Sequence, residues 1–153
     1  MSLMGRKQQA GRAKSLSASR RNGSSLPKPA KPRVLVVEDE IFVAWHLESA
    51  LRELDCAVCG LVPDGESAAD RAESLCADLV LMDVNLKGTI DGVEAARQVR
   101  QRCGTPVIFI TAYSDAATLG RIRQAVPGAA VLAKPVSAGV LKRAVSTVLA
   151  VAV

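Results

Sequence analysis

Aromatic residues are scarce in this chain of 153 residues, which contains one Trp, one Tyr and two Phe. The core must therefore be largely aliphatic, and short apolar runs occur at 34–37, 79–82 and 107–110. Runs of this kind are typical of strands that are buried on both faces of a parallel sheet. At this length the chain can form one domain with a sizeable core, but not two.

Long apolar stretches and clustered cysteines are also absent. The apolar run at 148–153 is far too short to cross a bilayer. The four cysteines do not form the pattern of a small disulfide-rich domain, and we recognise no signal peptide, so we expect a soluble, cytoplasmic protein with reduced thiols. Cys56 and Cys59 have the spacing of a redox or zinc pair, but no second ligand pair accompanies them, which favours a structural role.

Positive charge is concentrated at the start of the chain. Residues 1–33 hold nine Lys or Arg and no acid, whereas residues 34–153 hold eleven against fifteen acids, a net charge of −4 with His46 neutral. Residues 1–32 lack hydrophobic periodicity and end in a Pro-rich stretch, which predicts a disordered basic leader. Whether part of this leader is an expression tag stays open. Its charge could contact phosphates, but without aromatic residues we do not predict specific nucleic-acid binding.

Short apolar runs alternate with helix-patterned segments from residue 33 to the end, which predicts one α/β domain over 33–153. Crossovers of this length favour a parallel sheet with helices on both faces. The predicted strands are 33–37, 57–61, 79–83, 106–111 and 129–133. The predicted helices are 40–54, 65–76, 91–102, 115–125 and 137–149.

Polar residues stand at the carboxyl ends of four predicted strands. Glu38 and Asp39 follow the first strand, Asp83 ends the third, Thr111 ends the fourth and Lys134 follows the fifth. Ligands of open parallel sheets bind at this edge, so we expect these side chains to share one pocket.

The chemistry of such a pocket is restricted by its charges. Neighbouring carboxylates repel one another unless a cation stabilises them, and an all-oxygen ligand set favours Mg²⁺ or Mn²⁺. Magnesium commonly shares its ligand sphere with a phosphate, which makes Asp83 a candidate nucleophile toward phosphorus. Lys134 and Thr111 would then hold the other phosphoryl oxygens.

Four segments together resemble the receiver domain of two-component response regulators. They are Val34-Leu-Val-Val-Glu-Asp-Glu40, Leu79-Val-Leu-Met-Asp-Val-Asn85, Ile110-Thr-Ala112 and Ala133-Lys-Pro135. The resemblance spans about residues 33–153. It implies a flavodoxin-like (βα)5 sandwich with a parallel five-stranded sheet in the order 2-1-3-4-5.

The resemblance also implies a role for each site residue. Asp83 would be the phospho-acceptor and Asp39 a direct metal ligand, with Glu38 acting through metal-bound water and Asn85 through its backbone carbonyl. Thr111 would move toward the phosphoryl group, Lys134 would pair with it, and the Lys134-Pro135 bond would be cis.

The function implied is signalling rather than conventional enzymatic turnover. A sensor histidine kinase or a phosphotransfer protein would donate the phosphoryl group. The face formed by the fourth helix, fifth strand and fifth helix would bind a downstream partner or a second copy of the chain.

Three positions depart from, or vary within, the family pattern. An Asp-Gly pair usually follows the phospho-acceptor by seven and eight residues, but Asp91 and Gly92 follow by eight and nine, which indicates a one-residue insertion. The usual aromatic residue three positions before the lysine is Val131. Tyr113, at a variable position, is predicted to shield the phosphoryl group from water.

The sequence leaves alternative functions open. The receiver could act alone, or it could belong to a larger regulator with a DNA-binding, RNA-binding or enzymatic output domain. A metal-dependent phosphatase that forms an aspartyl-phosphate is the third alternative. Such enzymes usually place an acid two residues after the nucleophile, where this chain has Asn85, which cannot supply the proton.

Three residues of the first helix are interpreted without a special role. We expect Glu40 to act as a charge at the helix N-terminus and His46 to be a surface or boundary residue. Trp45 is predicted to pack at the helix boundary rather than to anchor a partner.

Overall fold

The structure is a computed structural model that describes residues 30–112 and 115–152. The predicted leader over residues 1–32 falls almost wholly outside these ranges, and so does Tyr113. The domain boundary and the role of Tyr113 therefore stay predictions.

Five strands and five helices alternate along the described residues. Every strand agrees with its predicted bounds to within one residue. None of the described helices is both long and apolar enough to pass through a bilayer. The strands are β1 (Arg33–Val37), β2 (Ala57–Val62), β3 (Leu79–Asp83), β4 (Val107–Thr111) and β5 (Ala130–Ala133). The helices are α1 (Ile41–Glu53), α2 (Ala68–Ser74), α3 (Gly92–Cys103), α4 (Ala116–Ala125) and α5 (Ala138–Ala152).

All neighbouring strands are parallel, in the order β2-β1-β3-β4-β5, which confirms the order implied by the resemblance. The order reverses between β1 and β3, where the carboxyl ends of adjacent strands border a crevice. Val37 pairs with Met82, so that Glu38 and Asp83 are the next residues on adjacent strands. The register of two buried strands thus brings the first acids of the site together.

Successive side chains of the strands enter two separate apolar layers. One layer packs against α1 and α5, and the other packs against α2, α3 and α4. The first includes Val34, Val36, Leu79, Leu81, Ile108 and Ile110 of the sheet with Leu47, Leu51, Leu141 and Val145 of the helices. The second includes Leu35, Val37, Val80, Met82 and Phe109 with Ala69, Ala72, Val93, Val99 and Ile122.

Helix α2 is shorter than the predicted helix over 65–76. Asp64 Oδ1 accepts hydrogen bonds from the Ser67 amide at 2.8 Å and from Ser67 Oγ at 2.7 Å. This side-chain turn competes with helix formation over residues 64–67. At the other end Cys76 has a left-handed φ of 52°, which stops the helix after Ser74.

The start of α3 lies against the end of β3. Asp91 caps the helix by accepting a hydrogen bond from the Glu94 amide at 3.0 Å, and the Gly92 amide donates to the Val84 carbonyl at 2.9 Å. A Cβ at Gly92 would lie 1.8 Å from the Asp83 carbonyl oxygen. Only glycine fits here, and the contact fixes the backbone that carries Asp83.

We expect Gly92→Ala to lower the free energy of unfolding by about 3 kcal/mol, because the new methyl group forces the backbone at Asp83 to move. Gly120→Ala is the matched control, since Gly120 is in α4 and an added Cβ there would meet no described atom within 4 Å beyond its chain neighbours and the adjacent helix backbone. That change should raise stability by about 0.5–1 kcal/mol through helix propensity. Denaturant unfolding measures both, and equally small effects would contradict the close packing.

Candidate functional site

Three carboxylates converge at the carboxyl edge of the sheet. Glu38, Asp39 and Asp83 each offer an oxygen, and these oxygens lie within 4.8 Å of one another. Within residues 30–112 and 115–152 they are the one group of three side chains that could hold a metal ion. Glu38 and Asp83 are each 4% exposed and Asp39 is partly buried, so bulk water screens this negative charge poorly.

Lys134 provides the positive charge next to this cluster. Its Nζ lies 2.9 Å from Glu38 Oε2 and 3.5 Å from Asp83 Oδ2. The Lys134 amide donates to the Thr111 carbonyl at 2.8 Å, which extends the β4–β5 pairing to the site. The Lys134-Pro135 peptide bond is cis, as the resemblance implies.

The protonation of Glu38 and Lys134 reflects this crowding. Burial raises the pKa of Glu38 from 4.5 to about 7, the charge of Asp83 adds to the rise, and the ion pair with Lys134 opposes it. Burial alone would lower the pKa of Lys134, but Glu38 and Asp83 outweigh it and leave that pKa above 10.5. Lys134 therefore stays charged at neutral pH, but its single positive charge does not balance the negative charge of the carboxylates.

The donor set fits a hard divalent cation. Glu38 Oε2 is buried without a well-directed hydrogen bond and depends on its ion pair with Lys134. One ammonium faces three carboxylates, and every candidate ligand atom is oxygen. Mg²⁺ and Mn²⁺ favour such ligands, and either would supply the missing positive charge.

The two remaining predicted site residues lie at the same edge. Thr111 is the last residue of β4 and is fully buried. Asn85 is exposed, and its amide donates to Asp83 Oδ1 at 3.2 Å, whereas Lys134 lies near the other oxygen of that carboxylate. The structure thus places all predicted site residues at one edge, although it does not test their roles.

Two contacts near the site were not predicted from the sequence. The Lys87 amide donates to Asp39 Oδ2 at 3.2 Å, and the Ile90 amide donates to Glu66 Oε1 at 3.2 Å. Both come from the loop with the extra residue. The shifted Asp-Gly pair indicated that this loop is unusual, but not which side chains it meets.

Residues interpreted without a special role show mixed outcomes. Trp45 is 52% exposed, and its ring makes an edge contact with Phe42, which is itself 78% exposed. Trp45 therefore packs less at the helix boundary than predicted. His46 is exposed, as expected. Cys56 and Cys59 are free thiols, and burial raises the pKa of each, which agrees with the structural role.

Comparison with known families identifies the family and the fold. A family model described as the response regulator receiver domain matches residues 34–146. The chain belongs to the response-regulator receiver family. This family consists of signalling domains, in agreement with the sequence-based expectation.

Two curated relatives match this receiver. The transcriptional regulatory protein PdtaR of Mycobacterium tuberculosis is 38% identical over 106 residues, which cover 69% of the chain and 50% of PdtaR. The response regulator ArlR of Staphylococcus aureus is 40% identical over 83 residues, covering 54% of the chain and 37% of ArlR. The chain therefore spans half or less of the length of these relatives.

Solved receiver domains share the fold. The receiver domain of a modulated diguanylate cyclase from Desulfovibrio desulfuricans superposes with a TM-score of 0.75 at 37% identity, covering 80% of this chain and 96% of that one. The receiver domain of the sensor histidine kinase PA1611 from Pseudomonas aeruginosa gives 0.70 at 31% identity, covering 79% and 99%. That structure has a magnesium ion coordinated in its active-site cleft.

Proposed function

We propose that this receiver accepts a phosphoryl group on Asp83, with Mg²⁺ or Mn²⁺, and thereby changes its binding to a partner. The observation that carries the proposal is the cluster of Glu38, Asp39 and Asp83 beside Lys134 in a chain of the receiver family. The Asn85 amide donates to one oxygen of the buried Asp83 carboxylate and Lys134 lies near the other, and these two contacts support a fixed orientation of the proposed nucleophile.

In the proposed reaction, an oxygen of Asp83 attacks the phosphorus atom while the bond from phosphorus to the donor nitrogen breaks. The product is an acyl phosphate, and the donor histidine regains its neutral ring. A divalent cation held by Glu38, Asp39, Asp83 and the Asn85 carbonyl would neutralise the carboxylates and the incoming phosphate. Lys134 then shifts its pairing from the carboxylates toward the phosphoryl oxygens, and the Thr111 hydroxyl donates to another oxygen.

The proposed switch begins at the backbone link between Thr111 and Lys134. Movement of Thr111 toward the phosphoryl group perturbs both strand ends, because the Lys134 amide donates to the Thr111 carbonyl. Val131 pairs with Phe109 in register and is partly buried, so no aromatic ring rotates at this position. The signal therefore passes through the backbone after Thr111 to the face of α4, β5 and α5. Phosphorylation shifts the population toward the conformation of this face that a downstream partner or a second copy binds.

Phosphoryl acceptance can be tested with acetyl phosphate as the donor. We expect stoichiometric, self-limited labelling of the wild type with Mg²⁺, and loss of labelling on chelation or in Asp83→Asn. Intact-mass spectrometry gives the phosphoryl groups per chain. Equal labelling of wild type and Asp83→Asn would contradict the assignment of Asp83 as the acceptor. Sustained hydrolysis of an external phosphomonoester would favour the phosphatase alternative.

An apolar surface borders the acceptor site and suits the docking of the donor. Ile41, Phe42 and Trp45 are exposed on the first turns of α1, at 49%, 78% and 52%. Beside them lies a groove of about 420 Å³ whose lining includes Phe42, Pro135 and Lys134. Because Lys134 belongs to both the groove and the acceptor site, we propose that the histidine-containing donor packs against this surface during transfer.

Replacing Phe42 and Trp45 by Ala should separate docking from chemistry. We expect the double variant to accept phosphate from acetyl phosphate at the wild-type rate, because neither ring contributes to the acceptor cluster. The comparison donor is the phosphorylated histidine kinase, from the organism that encodes this chain, that transfers fastest to the wild type. Its transfer to the double variant should be slower by about tenfold or more, as for loss of an interface hot spot. Val151→Ala, which removes an exposed apolar side chain at the far end of α5, is the control. Equal slowing with both donors would contradict docking at this surface.

A second candidate is that the receiver works within a longer regulator. The observation in its favour is that the chain covers only 50% of PdtaR, which is named a transcriptional regulatory protein. The phosphoryl chemistry would be unchanged, and the output would be an attached domain. The complete reading frame distinguishes this candidate from a stand-alone receiver.

A further inference from the structure

The loop after Asp83 is held at both ends by contacts with the backbone and side chain of Asp83, and its middle residues are exposed. At the start, the Asn85 amide is bound to Asp83, and at the end Gly92 is packed against the backbone of Asp83 and Val84. Residues 87–89 are exposed, and Gly88 has a φ of 119°, a conformation that favours glycine. A loop of this kind needs contacts outside β3 and α3 to hold one position.

Two carboxylates supply these contacts. Asp39 accepts from the Lys87 amide and Glu66 accepts from the Ile90 amide, each at 3.2 Å. The Glu66 carboxylate lies against Gly88, since a Cβ there would be 2.8 Å from Glu66 Oε2. The loop is therefore held between an acid of the candidate metal site and an acid outside it.

The turn that carries Glu66 is itself well ordered by local bonds. Asp64 binds both the amide and the hydroxyl of Ser67, which fixes the backbone on either side of Glu66. Gly65 also packs closely on the loop, because a Cβ there would lie 3.1 Å from Ile90 Cγ1. The backbone that carries Glu66 is thus held next to the loop, and the exposed Glu66 side chain reaches the Ile90 amide from it.

We infer that Glu66 is a positioning residue, which holds the inserted loop so that the Lys87 amide stays on Asp39 and orients that carboxylate for the cation. Glu66 is not one of the three carboxylates of the cluster, so it acts through the loop alone. The inference rests on the proposed function for its effect on metal binding. Loss of a partner that orients a ligand typically weakens metal binding by about 10- to 100-fold.

Three variants test this inference. Glu66→Ala removes the acceptor for the Ile90 amide, Glu66→Gln keeps an acceptor oxygen without the charge, and Glu53→Ala removes an exposed acid at the far end of α1. Amide hydrogen exchange of the metal-free proteins reports on the loop. Titration with MgCl₂, followed by calorimetry, reports on the cation site.

In Glu66→Ala we expect the Lys87 amide to exchange about fivefold faster, as for loss of one hydrogen bond, although Lys87 does not bind Glu66 directly. Mg²⁺ binding should weaken by about tenfold. Glu66→Gln and Glu53→Ala should behave like the wild type in both measurements, and the free energy of unfolding should change little in any variant.

Other outcomes overturn the inference. Unchanged Lys87 exchange and Mg²⁺ affinity in Glu66→Ala would show that the loop keeps its position unaided. Equal weakening in Glu66→Ala and Glu66→Gln would assign the effect to charge rather than to the hydrogen bond. If the wild type bound no Mg²⁺, the proposed metal site would fail, and Lys87 exchange alone would decide whether Glu66 holds the loop.

Discussion

The mutual repulsion of three carboxylates at the end of two buried strands is the constraint on which this structure depends. Two unit charges at a separation of 4–5 Å interact by about 4 kcal/mol at an effective dielectric constant of 20. Glu38, Asp39 and Asp83 offer oxygens at such separations, and Lys134 compensates only part of their charge. A site of this kind favours any added cation, and the cation in turn favours a phosphate.

The surrounding fold keeps the carboxylates from moving apart. All five residues of β3, including Asp83, are buried, so the strand cannot shift without disturbing both apolar layers. The close contact of Gly92, at the start of α3, with the Asp83 carbonyl fixes the backbone at the end of β3. The stability of the aliphatic core thus offsets a local electrostatic cost, as is common where a protein is built for function rather than stability.

Much of this arrangement follows from the sequence because parallel strands bring their carboxyl ends to one edge. Once the apolar runs were assigned to strands, the positions of Glu38, Asp83, Thr111 and Lys134 followed from topology alone. The bounds of β1, β3, β4 and β5 were accurate at their carboxyl ends because polar residues stand there, whereas β2 is followed by Pro63 and extends one residue beyond its predicted end. The strand order came from the resemblance to receivers, not from the apolar pattern.

Contacts between loops could not be predicted in this way. The Lys87–Asp39 and Ile90–Glu66 hydrogen bonds join residues 48 and 24 positions apart, with no periodic pattern to indicate them. The side-chain turn at Asp64 shortened α2 against its apolar pattern. Trp45 was predicted to pack at the helix boundary, but Ala44, Leu47 and Leu51 form the buried stripe of α1 and leave Trp45 outside it.

The charge conflict can be measured directly through the free energy of unfolding of metal-free wild type and Asp83→Asn at pH 8. Removing the Asp83 charge ends its repulsion with two carboxylates and its attraction to one ammonium. We therefore expect Asp83→Asn to be more stable by about 1–2 kcal/mol in the presence of a chelator. Addition of Mg²⁺ should stabilise the wild type more than the variant. A metal-free Asp83→Asn protein that is less stable than the wild type, or equal stabilisation of both by Mg²⁺, would contradict the account.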